Sequence, residues 1–523
     1  MNRRNLLTAA SLILTLSASA KEQTLPNVVL LVVDDMGYND MSFRETALSD
    51  VKKYGTPAID ALAQSGAYFA NGYATCPISS PARNGILTGC YQERWGNYGF
   101  GDGGLDPNRM TIAQYLKALG YATKHIGKVH LNGGPVEHPM DHGFDEFMGF
   151  INHSWDYKRL SEKDKEAVLA KGAKEAEVSK GDQALGALWR DRDPQGVDID
   201  SPDAYTTEVF TDEAIEFMER KSSKEPFFIQ LAYNALHSPT YVVDEKYAER
   251  VGLEYTPWDR EAESWDYPYW DPSKISKYDF HQNNANLKMI RKTGRKRYLS
   301  QLLALDDSVA AIREKLKELG ELDNTIIVFV SDNGGELSGY SNNDPLNGQK
   351  YMLGEGGIRI PMMISYPDQI KPNRATNSIV SAMDIFPTIV AYTGGEAPEF
   401  DGKSLVPVIK KPKTEIHDVL AWDVGTILSP SATEPMSGYA VRKGDWKMTY
   451  NCADNHISWT IDDDGYASYF TPLSYPTGLT LHNLKDDPQE LRDLSKENPE
   501  KLEELLTIYK EWRAQMPDPI KMR

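Results

Sequence analysis

The chain has 523 residues, 40% of them hydrophobic and 10% aromatic, enough for one large packed domain and a smaller one. A formal charge of −19 disfavours nucleic acid as a partner. Beyond the N-terminus no apolar run is long enough to span a bilayer, so no integral membrane segment is expected.

Residues 1–20 read as a secretory signal. Arg3 and Arg4 precede the apolar stretch Leu6 to Leu16, and Ala18-Ser19-Ala20 offers a small-residue cleavage site before Lys21. The expected location is therefore periplasmic or secreted. The chain that remains carries 55 basic and 76 acidic residues, a formal −21, so a polyanionic substrate would have to meet a local basic site. The three cysteines, Cys76, Cys90 and Cys452, are odd in number and allow one bridge at most.

Asn27 to Val33 is a continuous β-branched and leucine run, the pattern of a buried parallel strand, and it ends in Asp34-Asp35. Pro57 to Ser65 has helical spacing and is followed by a strand-like Tyr68–Ala70. Ser79-Ser80-Pro81 suits the first turn of a helix with serine as its cap. Met110 to Leu119 is helical and leads into the strand Ala122–Ile126. The sequence then runs through Gly127-Lys128-Val129-His130, which places Lys128 and His130 on one side of an extended segment. A second buried strand lies within Lys224–Ala235. Arg297 to Leu319 is an amphipathic helix, and Thr325 to Val330 is a β-branched strand ending in Ser331-Asp332-Asn333-Gly334. Alternation of strands and helices predicts a largely parallel sheet covered by helices on both faces.

Two stretches read as insertions. Residues 151–206 are charged and mostly helical. Residues 241–296 are dense in Tyr, Trp and Pro and end in Arg291, Lys292, Arg295, Lys296 and, just beyond, Arg297. After about residue 410 the texture changes to short strands, such as those within Gly438–Tyr450, and a final amphipathic helix near Pro499–Met516. The expected organisation is a signal over 1–20, a main unit over 21–410 and a smaller α+β unit over 411–523.

Asp34 and Asp35 at one strand end, with Asp332 and Asn333 at another, supply four side-chain oxygens. That set suits a hard divalent cation, Ca²⁺ or Mg²⁺, rather than zinc.

With Ser79-Ser80-Pro81-Ala82-Arg83, Leu87-Thr88-Gly89 and Gly120-Tyr121 through His130 in this order, the chain resembles the formylglycine-dependent sulfatases. The likeness runs over about residues 26–410. It includes Tyr233-Asn234-Ala235-Leu236-His237-Ser238-Pro239, which resembles the family's A-P-H-x-P turn, and Lys350 ahead of Glu355-Gly356-Gly357-Ile358-Arg359-Ile360-Pro361. Leu481 to Pro488 resembles the family's C-terminal strand. In that family the first residue of [C/S]-x-[P/A]-x-R is oxidised to an aldehyde. Only Ser79 is in frame here, because starting at Cys76 meets Ile78 and Ser80, and starting at Cys90 meets Gln92.

The resemblance implies an alkaline-phosphatase-like α/β domain with a small C-terminal α+β subdomain. It implies a sulfatase that cleaves the S–O bond of a sulfate ester. One hydroxyl of the hydrated aldehyde (3-oxoalanine, formylglycine) from Ser79 attacks sulfur, and loss of a proton from the other expels sulfate. One Ca²⁺, in preference to Mg²⁺, is implied at Asp34, Asp35, Ser79, Asp332 and Asn333. Arg83 would hydrogen-bond the formylglycine, Lys128 would neutralise a sulfate oxygen, and His130 would take the proton from the second hydroxyl. His237 would protonate the leaving alcohol or contact the sulfate, and Lys350 would stabilise the bridging oxygen. A serine at position 79 implies a partner, a radical maturation enzyme that accepts serine.

Secreted bacterial members often act on sulfated carbohydrates such as ulvan or carrageenan. Tyr255, Trp258, Trp265, Tyr267, Tyr269 and Trp270 are candidates for stacking on sugar faces, with the nearby basic run holding neighbouring sulfates. Two departures from the family stand out, Cys90 where Arg is common in the Leu-Thr-Gly-x-Tyr stretch and Asn347 where a basic residue is common. The alternative readings are a sulfated-glycan-binding protein with Ser79 unconverted, and a phosphoesterase of the same superfamily.

Overall fold

The apolar run Asn27–Val33 forms β1, a strand buried along its whole length. Alternate side chains serve opposite faces, as the pleat requires. Val29, Leu31 and Val33 pack into one core, and Val28, Leu30 and Val32 into another. The computed structural model describes residues 25–99, 103–131, 137–151, 157, 188–193, 204–237, 243–255, 293–427, 436–450, 454–455, 458–461, 467–470, 473–474 and 478–520.

β1 sits within a nine-stranded sheet. The other members are β2 (Ala67–Phe69), β4 (Ala122–Lys128), β5 (Glu146–Phe150), β6 (Trp189–Arg190), β7 (Phe227–Ala232), β8 (Thr325–Ser331), β9 (Met362–Ser365) and β10 (Arg374–Thr376). Their order across the sheet is β10-β2-β9-β8-β1-β7-β4-β5-β6. A two-stranded ladder joins β3 (Gly72–Tyr73) to β11 (Val380–Ser381). β1 runs parallel to both β7 and β8, and β4 runs parallel to β7 and β5. β9 is antiparallel to β8 and β2, and β6 to β5. The chain steps to opposite sides of β1 to reach β2 and β4. The carboxyl ends of β1, β4, β7 and β8 thus meet at the kind of switch point where open α/β sheets bind ligands.

Helices cover both faces. Leu62 of Pro57–Ser65, Phe217 of Thr206–Lys221 and Leu302 of Gly294–Glu318 pack on the Val29 side. Leu116 of Ile112–Ala118 and Phe386 of Ile385–Thr393 pack on the other. The main helices and strands read from periodicity are found with ends shifted by a few residues, and the sheet is largely parallel as expected.

A second, antiparallel sheet is built of β12 (Val419–Ile427), β13 (Met436–Lys443), β14 (Trp446–Tyr450) and β19 (Leu479–Asn483), in that order. Two short ladders intervene, β15 (Asp454–Asn455) with β18 (Leu473–Ser474), and β16 (Ser458–Ile461) with β17 (Ala467–Phe470). The helix Pro499–Arg513 lays Leu505 against Val441, Met448 and Leu481. Buried Trp422 of β12 donates its indole N–H to the Ala74 carbonyl at 2.8 Å, tying this sheet to the larger unit.

The expected signal segment 1–20, Cys452, and Trp258, Trp265, Tyr267, Tyr269 and Trp270 lie outside the described residues. So does most of both expected insertions. The basic run is corrected where it is described. Arg295 is buried, with its guanidinium 2.7 Å from Asp40 Oδ1 and 3.0 Å from Asp50 Oδ2, and Lys296 and Arg297 are buried beside it. These three cations belong to the interior rather than to a sulfate-binding surface.

Candidate active site

β1 and β8 are in register with Val33 opposite Ser331, so the residues that follow each strand emerge side by side. The Asp332 N–H donates to the Val33 carbonyl at 3.0 Å, and the Asp34 N–H to Ala235 at 2.9 Å, which adds the segment after β7. The Asp35 N–H donates to Asp332 Oδ1 at 3.3 Å. Asn333 Nδ2 donates to Asp35 Oδ1 at 2.7 Å, leaving Asn333 Oδ1 turned towards Ser79.

Ser79 opens the helix Ser79–Thr88. The expected serine cap is not made. Ile78 holds the capping position with extended backbone, and the Ser79 hydroxyl is engaged elsewhere. It donates to Asn333 Oδ1 at 2.9 Å, with Asp34 Oδ1 at 3.3 Å. Arg83 follows one turn along, on the same face. Its Nε donates to Asp332 Oδ2 at 2.9 Å and its Nη1 to the Lys128 carbonyl at 3.1 Å, with Nη2 3.6 Å from Asp34 Oδ2.

Lys128 ends β4 and ion-pairs with Asp34 Oδ2. Lys350 reaches Asp35 Oδ2 at 2.7 Å, and His237 Nε2 lies 3.7 Å from the same oxygen. Asp34, Asp35, Asp332, Arg83, Lys128 and Lys350 are all buried. Asp34, Asp35 and Asp332 thus face Arg83, Lys128 and Lys350, and pairing of this kind makes so many buried charges tolerable.

The surroundings set the protonation states. Burial alone would raise the Asp34 carboxyl, but Lys128, His237 and Arg83 outweigh it and hold it at about 2. For Asp35, burial is likewise overcome, chiefly by Lys350, and the group titrates below the usual carboxylate range. Burial lowers the Lys128 ammonium against the pull of Asp34. Burial opposes the charge on Lys350 too, yet Asp35 raises it well above its ordinary value. Burial and then Lys350 bring His237 down to about 4. Both aspartates are thus ionised and His237 is neutral near pH 7.

Asp34, Asp35 and His237 each place a ligand atom within 4.8 Å of the others. The acceptors that converge with them, on Asp332, Asn333 and Ser79, are all oxygen, so the donor set fits a hard divalent cation.

The structure brings Asp34, Asp35, Ser79, Arg83, Lys128, His237, Asp332, Asn333 and Lys350 together. His130 is buried and donates its backbone N–H to the Ile151 carbonyl at 3.0 Å. Its φ of 55° breaks the extended alternation that predicts a shared side with Lys128. Glu336, whose carboxylate lies 3.8 Å from the Lys350 ammonium, is a member that sequence reasoning missed. Its place three residues beyond Asn333 was the available signal. At the Cys90 departure, the following turn is braced by Asp401, which accepts from the Tyr91 N–H at 3.0 Å and ion-pairs with Arg94. At the other departure, Asn347 uses its backbone carbonyl, which accepts from the Gly356 N–H at 2.6 Å.

Known proteins are similar to this chain over nearly its whole length. The sulfatase family profile matches residues 26–395, and a profile described as N-sulphoglucosamine sulphohydrolase, C-terminal, matches 348–464. Human N-acetylgalactosamine-6-sulfatase is 25% identical over 482 residues, covering 88% of this chain and 77% of the relative. The uncharacterized sulfatase YdeN of Escherichia coli is 25% identical over 561 aligned positions, covering 95% and 86%. Among solved structures, Ps i-CgsB in complex with k-i-k-neocarrahexaose superposes with a TM-score of 0.71 at 27% identity, covering 95% of this chain and 94% of that one. A phosphonate monoester hydrolase of Agrobacterium radiobacter shares the fold at a TM-score of 0.59 and 22% identity. With the profile spanning the sheet and every strand end that builds the charged cluster, the chain belongs to the sulfatase family.

Proposed function

We propose that this sulfatase hydrolyses sulfate esters of a carbohydrate by S–O cleavage, using a formylglycine derived from Ser79. The observation that carries the reading is the setting of Ser79. Its Oγ lies against Asn333 and Asp34, in a buried cluster that also holds Arg83, Lys128 and Lys350. Carrageenan-type oligosaccharide is the first substrate to try, because the relative that superposes at 0.71 was solved with k-i-k-neocarrahexaose. A radical maturation enzyme that accepts serine would supply the oxidation, and the 1–20 signal would send the chain to the periplasm or beyond. Among the described residues no helix is long and apolar enough to cross a membrane. Residues 21–410 would form the catalytic unit and 411–523 the smaller one.

Asp34, Asp35, Asp332 and Asn333, with the side chain at 79, would hold one Ca²⁺. When bound, that ion supplies Lewis-acid polarisation of oxygens brought to it. The hydrated aldehyde at residue 79 would supply a nucleophilic hydroxyl aimed at sulfur.

The chain's own groups do the rest. Arg83 fixes Asp332 and the Lys128 backbone. Lys128 and Lys350, each paired with a carboxylate, offset charge on the sulfate oxygens and on the bridging oxygen as the ester breaks. His237, neutral near pH 7, offers a ring N–H to the ester or sulfate oxygen. His130 would be the group that takes the proton from the second hydroxyl, a role that rests on the family resemblance.

The test is mass spectrometry of the Ser79 peptide from the natural host, with sulfate release from carrageenan oligosaccharides by the same preparation. The expected result is a peptide two hydrogens lighter at residue 79 and release that Ser79→Ala abolishes. Unmodified serine together with tight glycan binding would replace this reading with a binding protein.

A further inference from the structure

A buried ionic bridge ties the second sheet to the segment that carries Lys350. Lys447 of β14 is fully buried, with its ammonium 2.9 Å from Glu355 Oε1 and 2.9 Å from Glu490 Oε1. Glu490, beyond β19, turns its other oxygen to accept the Glu355 backbone N–H at 2.7 Å. The remaining Glu355 oxygen accepts from the Tyr73 hydroxyl at 2.6 Å and faces the Arg442 guanidinium at 3.8 Å. Glu355 is thus gripped by Lys447 and Arg442 of the second sheet and by Glu490 beyond it, together with Tyr73 and Arg359 (Nη1 at 3.5 Å) of the larger unit.

Glu355 belongs to the same short segment as Lys350. That segment folds on itself, with the Gly356 N–H donating to Asn347 at 2.6 Å and the Met352 N–H to Gln349 at 2.9 Å. It is stitched to the strand end through Lys350 N–H to Gly335 at 3.2 Å, and to the turn before Ser79 through Tyr351 N–H to Pro77 at 2.8 Å. No side chain fits at Gly354 or Gly356. A Cβ on Gly354 would lie 2.5 Å from the Asn347 carbonyl oxygen, and one on Gly356 2.3 Å from that of Gly348. A glycine-rich loop has much backbone entropy to lose, so the ionic anchor at Glu355 decides how well the loop is held.

We propose that Lys447 and Glu490 are positioning residues. By clamping Glu355 they hold residues 347–356 in the conformation that places Lys350 against Asp35, so the second sheet completes the active site. The proposal rests on the assignment of Lys350 to the chemistry, and its experiment separates the two.

Glu490→Ala, Glu490→Gln and Lys447→Met are made in the full chain, and two things are measured. Hydrogen exchange of peptides spanning 347–358 is compared with that of β1 and β8. Sulfate release is followed on the carrageenan oligosaccharides. Glu490→Ala is expected to speed exchange across 347–356 about tenfold, with β1 and β8 unchanged. It is expected to lower kcat about tenfold with KM moving less than threefold. Glu490→Gln, which keeps an acceptor for the Glu355 N–H, should recover at least threefold of that loss. Lys447→Met should act in the same direction as Glu490→Ala, and if it does not accumulate as folded protein the Glu490 pair carries the test. Exchange across 347–356 equal to wild type, or raised equally everywhere, would overturn the proposal. If wild type releases no sulfate, the catalytic reading falls while the exchange comparison still tests the clamp.

Discussion

His142 provides a quantitative test of how this fold responds to acid. Its ring is buried and packs edge-on to Phe144 at 5.7 Å between centroids. Burial lowers its pKa from 6.5 to about 4. The folded state thus favours the neutral ring, while the unfolded chain takes up a proton below pH 6.5. Stability from this group is complete above pH 6.5 and is lost as the pH falls towards 4. Each tenfold difference in proton affinity between the folded and unfolded chain is worth about 1.36 kcal/mol. The full loss is therefore about 3 kcal/mol, with about 2 kcal/mol gone by pH 5. His142→Leu keeps a similar volume and removes the titration. Urea unfolding of both proteins at pH 7.5, 5 and 4 should show the variant gaining on wild type by these amounts as the pH falls. A difference between the two that stays constant with pH would refute the argument.

The charged cluster yields three more expectations. Arg83→Met leaves Asp332 without its buried guanidinium and should cost about 3–5 kcal/mol of stability, read as a lowered urea midpoint in calcium-free buffer. Calcium at a hundred times its Kd should add about 2.7 kcal/mol, reversed by chelator. Unfolding curves that ignore both Ca²⁺ and Mg²⁺ would remove the metal assignment. Lys350→Met should lower kcat by about 10²–10³ with the secondary structure intact by circular dichroism, and a change confined to KM would assign Lys350 to binding alone.

The main sheet was legible because its central strands are buried on both faces. Residues 28–33 and 326–330 are continuous apolar runs, and no amphipathic reading competes with them. The aspartate pairs were legible for the same reason, since polar residues that abruptly end such runs stand out. Lys128 and His130 were placed by a two-residue period that holds only while the backbone stays extended, and the positive φ at His130 ends it. Arg295 to Arg297 read as a surface patch, because charge in a sequence does not reveal that Asp40 and Asp50 wait for it in the interior. Lys447, Glu355 and Glu490 carry no local pattern at all. Their partnership exists only once two sheets have met.

The central place of β1 bears on how the chain is made. Both of its neighbours, β7 and β8, lie far downstream, and β7 begins at Phe227. At ~5–20 residues per second of synthesis, β1 waits roughly 10–40 s for its first partner strand and longer for its second. Through that interval the apolar run over residues 28–33 has both edges open, which is the profile of a segment prone to join other chains. Asp34 and Asp35, directly behind it, put two negative charges beside the sticky run before they have anything to bind. Two residues that end in the buried charged cluster would thus first serve to keep the strand from joining other chains.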